Sequence, residues 1–187
     1  MSENKLTVIG NNKLEIKATK IMKFTGDGFK DTTPVVLFDI SGSMNCDDCP
    51  VAESRIDVVN RISKKMQKFP VYAFSDKVQR TEYSDLTASG STDLSQALEV
   101  CKHYPKVILV SDGCPDEKVP TMVKAISLGI PFDTILIGNE ESGKRFMQEL
   151  SERTGGKFST IATSDLNFQE KLESGINTLL LCEGDKK

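Results

Sequence analysis

The chain has no tryptophan, one histidine, and an aromatic content of 6%. It also lacks any window of about 20 consecutive apolar residues, the length a helix needs to cross a bilayer. The opening residues, Met1-Ser2-Glu3-Asn4-Lys5, do not form the apolar core of a secretory leader. Five cysteines are an odd number and too sparse for a disulfide framework, so a reducing cytoplasm is the expected location. A net charge of −3 gives no electrostatic reason to expect nucleic acid or an anionic membrane as the main partner. The single histidine, His103, precedes an apolar strand instead of following one, which leaves a Ser-His-Asp hydrolase without a well-placed base.

What remains is an ordinary globular composition: 187 residues, 38% hydrophobic and 27% charged, enough for one domain with a full core. Leu6–Ile9 and Leu14–Ala18 flank Gly10-Asn11-Asn12-Lys13, which predicts a β-hairpin within residues 1–33. The lysines of this region read as a solvated face. From Pro34 onward, strand and helix patterns alternate. Val35–Phe38, Val71–Phe74, Val107–Val110, Phe132–Gly138 and Phe158–Ile161 read as strands, and Lys77–Glu82 as a short charged edge strand. Helical stripes run through Ile56, Val59, Ile62, Met66 and Phe69, stopped by Pro70, and through Leu94, Ala97, Leu98 and Cys101. Pro120 fits the first turn of a third helix; Phe146, Met147 and Leu150 mark a fourth, ended by Gly155-Gly156; Leu172, Ile176, Leu179 and Leu180 mark a fifth. This alternation predicts a three-layer α/β/α sandwich with a doubly wound, mostly parallel sheet and one antiparallel edge strand. Ligands of such sheets bind beyond the strands' C-terminal ends, where the strand order reverses.

Three segments place oxygen donors at those ends. Asp39-Ile40-Ser41-Gly42-Ser43 follows the first strand, Thr92 lies in Gly90-Ser91-Thr92-Asp93, and Asp112 follows the strand through Val110 and Ser111. Alternate residues of an extended chain share a face, so an extended loop aims Asp39, Ser41 and Ser43 at one point. Two carboxylates and three hydroxyls suit a hard cation such as Mg²⁺, which wants six oxygens and usually retains water.

These segments, together with Leu128-Gly129-Ile130 before the fourth parallel strand and Leu150–Phe158 around the Gly155-Gly156 stop, resemble a von Willebrand factor type A (vWA) domain with a metal-ion-dependent adhesion site. The match runs from about Pro34 to the C-terminus, which divides the chain into a hairpin extension at 1–33 and a vWA domain at 34–187. The resemblance implies Asp39, Ser41, Ser43, Thr92 and Asp112 as ligands of Mg²⁺ or Mn²⁺. It further implies a non-enzymatic module whose metal engages an acidic side chain of a partner protein, with a ring ATPase or a stress-response assembly among the partners known for compact family members.

Rival chemistries are weaker on the same residues. Asp39-x-Ser41 with Asp112-x-x-x-Asp116 resembles the haloacid-dehalogenase-like phosphatases, but Ser41 stands where an acid should protonate the leaving group. Cys46-x-x-Cys49, with Cys114 on the same side, is spaced for zinc or redox chemistry but lacks a fourth ligand. Asp47 and Asp48 in that loop add negative charge that would repel acidic partners. Gly138–Lys144 approaches a phosphate-binding loop but continues with Arg145 where a hydroxyl should hold Mg²⁺.

Overall fold

Two strands at the centre, β1 (Val35–Asp39) and β4 (Val107–Ser111), are buried along their whole length. This is why their sequences are continuous apolar runs with no alternation. They are seen in a computed structural model that describes residues 33–81, 85–113 and 115–181. The expected hairpin at 1–33 lies outside the described residues except for residue 33.

The other strands are β2 (Val71–Phe74), β3 (Val78–Arg80), β5 (Phe132–Ile137) and β6 (Phe158–Ile161). Among the described residues the six make one sheet in the order β3-β2-β1-β4-β5-β6. All neighbours are parallel except β2 and β3, which pair antiparallel with Tyr72 opposite Arg80. The sheet's rims are short: β3 has three residues, with Gln79 and Arg80 exposed, and β6 has four, with Ser159 and Thr160 exposed.

Among the described residues five α-helices cover both faces. The β pleat divides the strand side chains between them. Val36, Phe38, Ile108 and Val110 pack with α1 (Arg55–Lys65) and α5 (Phe168–Leu181). Val35, Leu37, Val107 and Leu109 pack with α2 (Leu94–Cys101), α3 (Lys118–Ser127) and α4 (Glu141–Thr154). The result is the three-layer α/β/α arrangement that the alternation predicted. α1 ends earlier than its apolar stripe suggested, because the chain leaves the helix at Met66 and turns: the Met66 amide bonds the Ser63 carbonyl and the Phe69 amide bonds the Met66 carbonyl. Phe69 still packs on the core, from this turn.

The site follows from the topology. β1 and β4 are adjacent and parallel, yet the chain leaves β1 for α1 on one face and β4 for α3 on the other. The loops after these strands therefore diverge, and a crevice opens between them at the strands' C-terminal ends. Among the described residues no helix is long and apolar enough to cross a membrane.

Candidate functional site

Four of the five expected ligands meet in this crevice. Asp39 is the last residue of β1 and is fully buried. Its Oδ1 accepts from the Ser41 amide at 2.8 Å and its Oδ2 from the Ser111 hydroxyl at 2.6 Å. The Ser41 and Ser43 hydroxyls lie 3.2 Å apart, and Ser43 donates to Asp112 Oδ1 at 3.0 Å. Asp112, 3% exposed, directly follows β4.

The convergence does not arise from an extended loop, as the residue spacing had suggested. Ser41 is extended, but Gly42–Asn45 winds into a 3₁₀ turn, and it is this turn that brings Ser43 back toward Ser41. Buried Met44 anchors the turn to the core.

Thr92 enters from the neighbouring loop. The Gly42 amide donates to the Gly90 carbonyl at 3.0 Å and the Ser89 amide to the Ile40 carbonyl at 2.9 Å, so this loop is tied to the first by its backbone. The Thr92 carbonyl accepts from the Asp116 amide at 3.1 Å, which links it to the segment after β4. Thr92 is half-buried, and among the described residues no side-chain hydrogen bond joins its hydroxyl to the other four.

The electrostatics centre on Asp39. Burial pushes its carboxyl up from 3.8 to about 6, against the opposing pull of its hydrogen bonds from Ser111 and Ser41, with the neighbouring Asp112 charge adding to the rise. A carboxylate this deeply buried costs folding energy unless a cation offsets it.

Two residues complete the surroundings: Arg55, which the sequence did not single out, and Asp48, which it read only as loop charge. Arg55, the first residue of α1, reaches Asp112 Oδ2 with Nη1 at 2.5 Å. Its Nε and Nη2 hold both oxygens of Asp48 at 2.9 and 2.6 Å. The Arg55 hydrogen bonds hold the Asp48 carboxyl below its ordinary range, and Thr163 donates to it as well at 2.9 Å. Asp48 is thus paired to an arginine, while both it and Asp47 remain exposed. Ser54 was a legible signal: it caps α1 in a reciprocal box with Asp57, and this fixes Arg55 at the helix start.

The cysteines separate. Cys46 is exposed and Cys49 buried, both as free thiols, and burial raises the Cys49 thiol to about 11. Cys114 lies outside the described residues. Among the described residues no group of three or more His, Cys, Asp or Glu side chains gathers as a metal cluster. The crevice instead offers two carboxylates supplemented by hydroxyls, a donor set chemically suited to a hard divalent ion. Asp116 is exposed, and His103 is exposed ahead of β4, at the other end of the sheet.

Gly138–Lys144 does lead from a strand into a helix, and within it Gly143 has a packing role. A Cβ on Gly143 would fall 2.9 Å from Gly113 Cα, so only glycine lets α4 lie this close to the segment after Asp112.

Comparison with solved structures places this architecture. The SpRpn10 VWA domain superposes with a TM-score of 0.51 at 17% identity, covering 72% of this chain and 93% of that one. The fold is vWA-like. The human COPII-coat protein Sec24c superposes with a TM-score of 0.52 at 11% identity; the match covers 81% of this chain but 32% of Sec24c. No protein-family model and no curated protein matches the chain. In this vWA-like frame the crevice between β1 and β4 is where Asp39, Ser41, Ser43 and Asp112 come together.

Proposed function

We propose that the chain is a non-enzymatic binding module in which Asp39, Ser41, Ser43, Thr92 and Asp112 hold Mg²⁺ or Mn²⁺ for recognition of an acidic group on a partner protein. The observation that carries this reading is the junction at the switch point: two buried carboxylates joined through the Ser41 and Ser43 hydroxyls, with Asp39 pushed up to about 6 by its burial. A bound divalent ion would supply open coordination positions to an incoming carboxylate. The chain's own residues do the rest. Asp39 and Asp112 provide negative charge, the serines provide neutral oxygens, and the backbone ties between the first two loops keep Thr92 at the rim.

Binding without turnover is supported by the state of Asp39, which is fully buried with one oxygen accepting from Ser41 and the other from Ser111, a poor posture for a nucleophile. Ser41, two residues on, offers no acid for a leaving group. Sec24c is a coat protein, a component of an assembly, which agrees with a role in protein binding. A ring ATPase or a stress-response assembly remains the partner type implied by the resemblance.

The test is capture from the native host on immobilised protein, in Mg²⁺ and in chelator, with Asp39→Asn as a third arm. Proteins retained in Mg²⁺ and released in both other arms are expected. Identical capture in all three arms would refute metal-mediated binding, and Asp39-dependent turnover of a phosphate ester would replace it with the phosphatase reading.

A further inference from the structure

Arg55 places a permanent positive charge beside the proposed ligand Asp112. Its side chain is 11% exposed, and a guanidinium does not lose its proton in proteins. It occupies Asp112 Oδ2 at 2.5 Å while Ser43 occupies Oδ1 at 3.0 Å, so both oxygens of that carboxylate are engaged. The other edge of the fork is bidentate on Asp48, whose side chain is 41% exposed. The guanidinium also lies against Gly138 at the end of β5, where a Cβ would come within 3.5 Å of Nη2.

Resting on the metal-binding reading above, we propose that Arg55 is a built-in competitor for the pocket's divalent ion, sharing Asp112 with it and setting how tightly the ion is held. Three carboxylates (Asp39, Asp48 and Asp112) against one guanidinium leave two uncompensated negative charges, which a divalent ion neutralises. Arg55 can release Asp112 without becoming unpaired, because Asp48 already grips it with two hydrogen bonds. The ion gains Asp112 only as the arginine gives it up, so loading and arginine position are coupled. Loss of the competing charge must then tighten metal binding.

The experiment measures Mn²⁺ affinity of the full chain by electron paramagnetic resonance of the free ion and by calorimetry. Arg55→Gln is expected to bind Mn²⁺ at least roughly tenfold more tightly than the unmodified chain, since removing a unit charge next to a doubly charged ion exceeds that even with water-like screening. Arg55→Lys keeps the charge and is expected to stay near the unmodified value. Unchanged or weaker affinity in folded Arg55→Gln overturns the proposal. Should that variant fail to fold, the unmodified chain decides: the Arg55 Nε–H resonance, identified by its absence from Arg55→Lys, must move on Mg²⁺ addition and hold still in NaCl of equal ionic strength. A resonance that ignores Mg²⁺ overturns the competition. If no form of the protein binds Mn²⁺, the metal-binding reading falls and takes this proposal with it; if the unmodified chain binds and Arg55→Gln binds equally, only the proposal falls.

Discussion

Replacing Asp39 by asparagine is expected to stabilise the metal-free protein at neutral pH, although it removes a residue proposed as essential for binding. Burial holds the Asp39 carboxyl at about 6 against an ordinary 3.8. The folded chain therefore keeps a proton there that the unfolded chain has released between those values. Stability then falls as pH rises from about 4 to 6 and stays low above that. The gap corresponds to roughly 3 kcal/mol, an upper limit for what asparagine recovers at pH 7. Some of it is offset. Asparagine can still accept the Ser41 amide, but its amide nitrogen faces the Ser111 hydroxyl, which must turn toward the Gly113 carbonyl now 3.4 Å away. A net gain of about 1–2 kcal/mol raises Tm by about 2–8 °C in a domain of this size. The assay is thermal and urea unfolding in chelator at pH 4.5 and 7. Asp39→Asn is expected to lose the decline across this window, and in Mg²⁺ the unmodified chain is expected to gain stability while the variant does not respond. Asp48 is held low, so its opposite pH effect falls below about 3.8, outside the window. A variant destabilised equally at both pH values would refute the reasoning, because it would show that the charge is not what Asp39 costs.

Two further substitutions probe the frame. Gly143→Ala drives a methyl group to 2.9 Å from the Gly113 backbone beside Asp112; a loss of about 1–3 kcal/mol in urea unfolding is expected, together with weaker Mn²⁺ binding, and a silent outcome in both would show that α4 does not set the position of the Asp112 loop. At the opposite end of the sheet Lys106 pairs with Asp133 at 2.5 Å, both nearly buried, and bonds the Leu179 carbonyl; Lys106→Met is expected to cost about 3 kcal/mol through the uncompensated Asp133 while leaving Mn²⁺ affinity unchanged.

The fold was legible because its strongest signals are local. Buried parallel strands such as Val107–Ser111 have to be apolar throughout, and α2 shows its buried face as Leu94, Ala97, Leu98 and Cys101. Asp39 and Asp112 were legible for a related reason: each follows such a run, and the topology fixes where runs end. The 3₁₀ turn at Gly42–Asn45 was not, because it depends on Met44 entering the core more than on any turn residue. Arg55 was hidden because a charged residue at a helix start ordinarily faces water, and the partner that draws it inward, Asp112, is 57 positions away in sequence; Asp48 was visible as loop charge but not as the partner of Arg55. No periodicity reports such a pair; only the adjacency of β1 and β4 creates it.

The brevity of the two outermost strands among the described residues carries a consequence for life at high local concentration. Three residues on one side, bearing Gln79 and Arg80, and four on the other, bearing Ser159 and Thr160, give a second molecule too little unpaired backbone to extend the ladder. Copies crowded together on a scaffold would remain separate particles instead of fusing into a continuous ribbon.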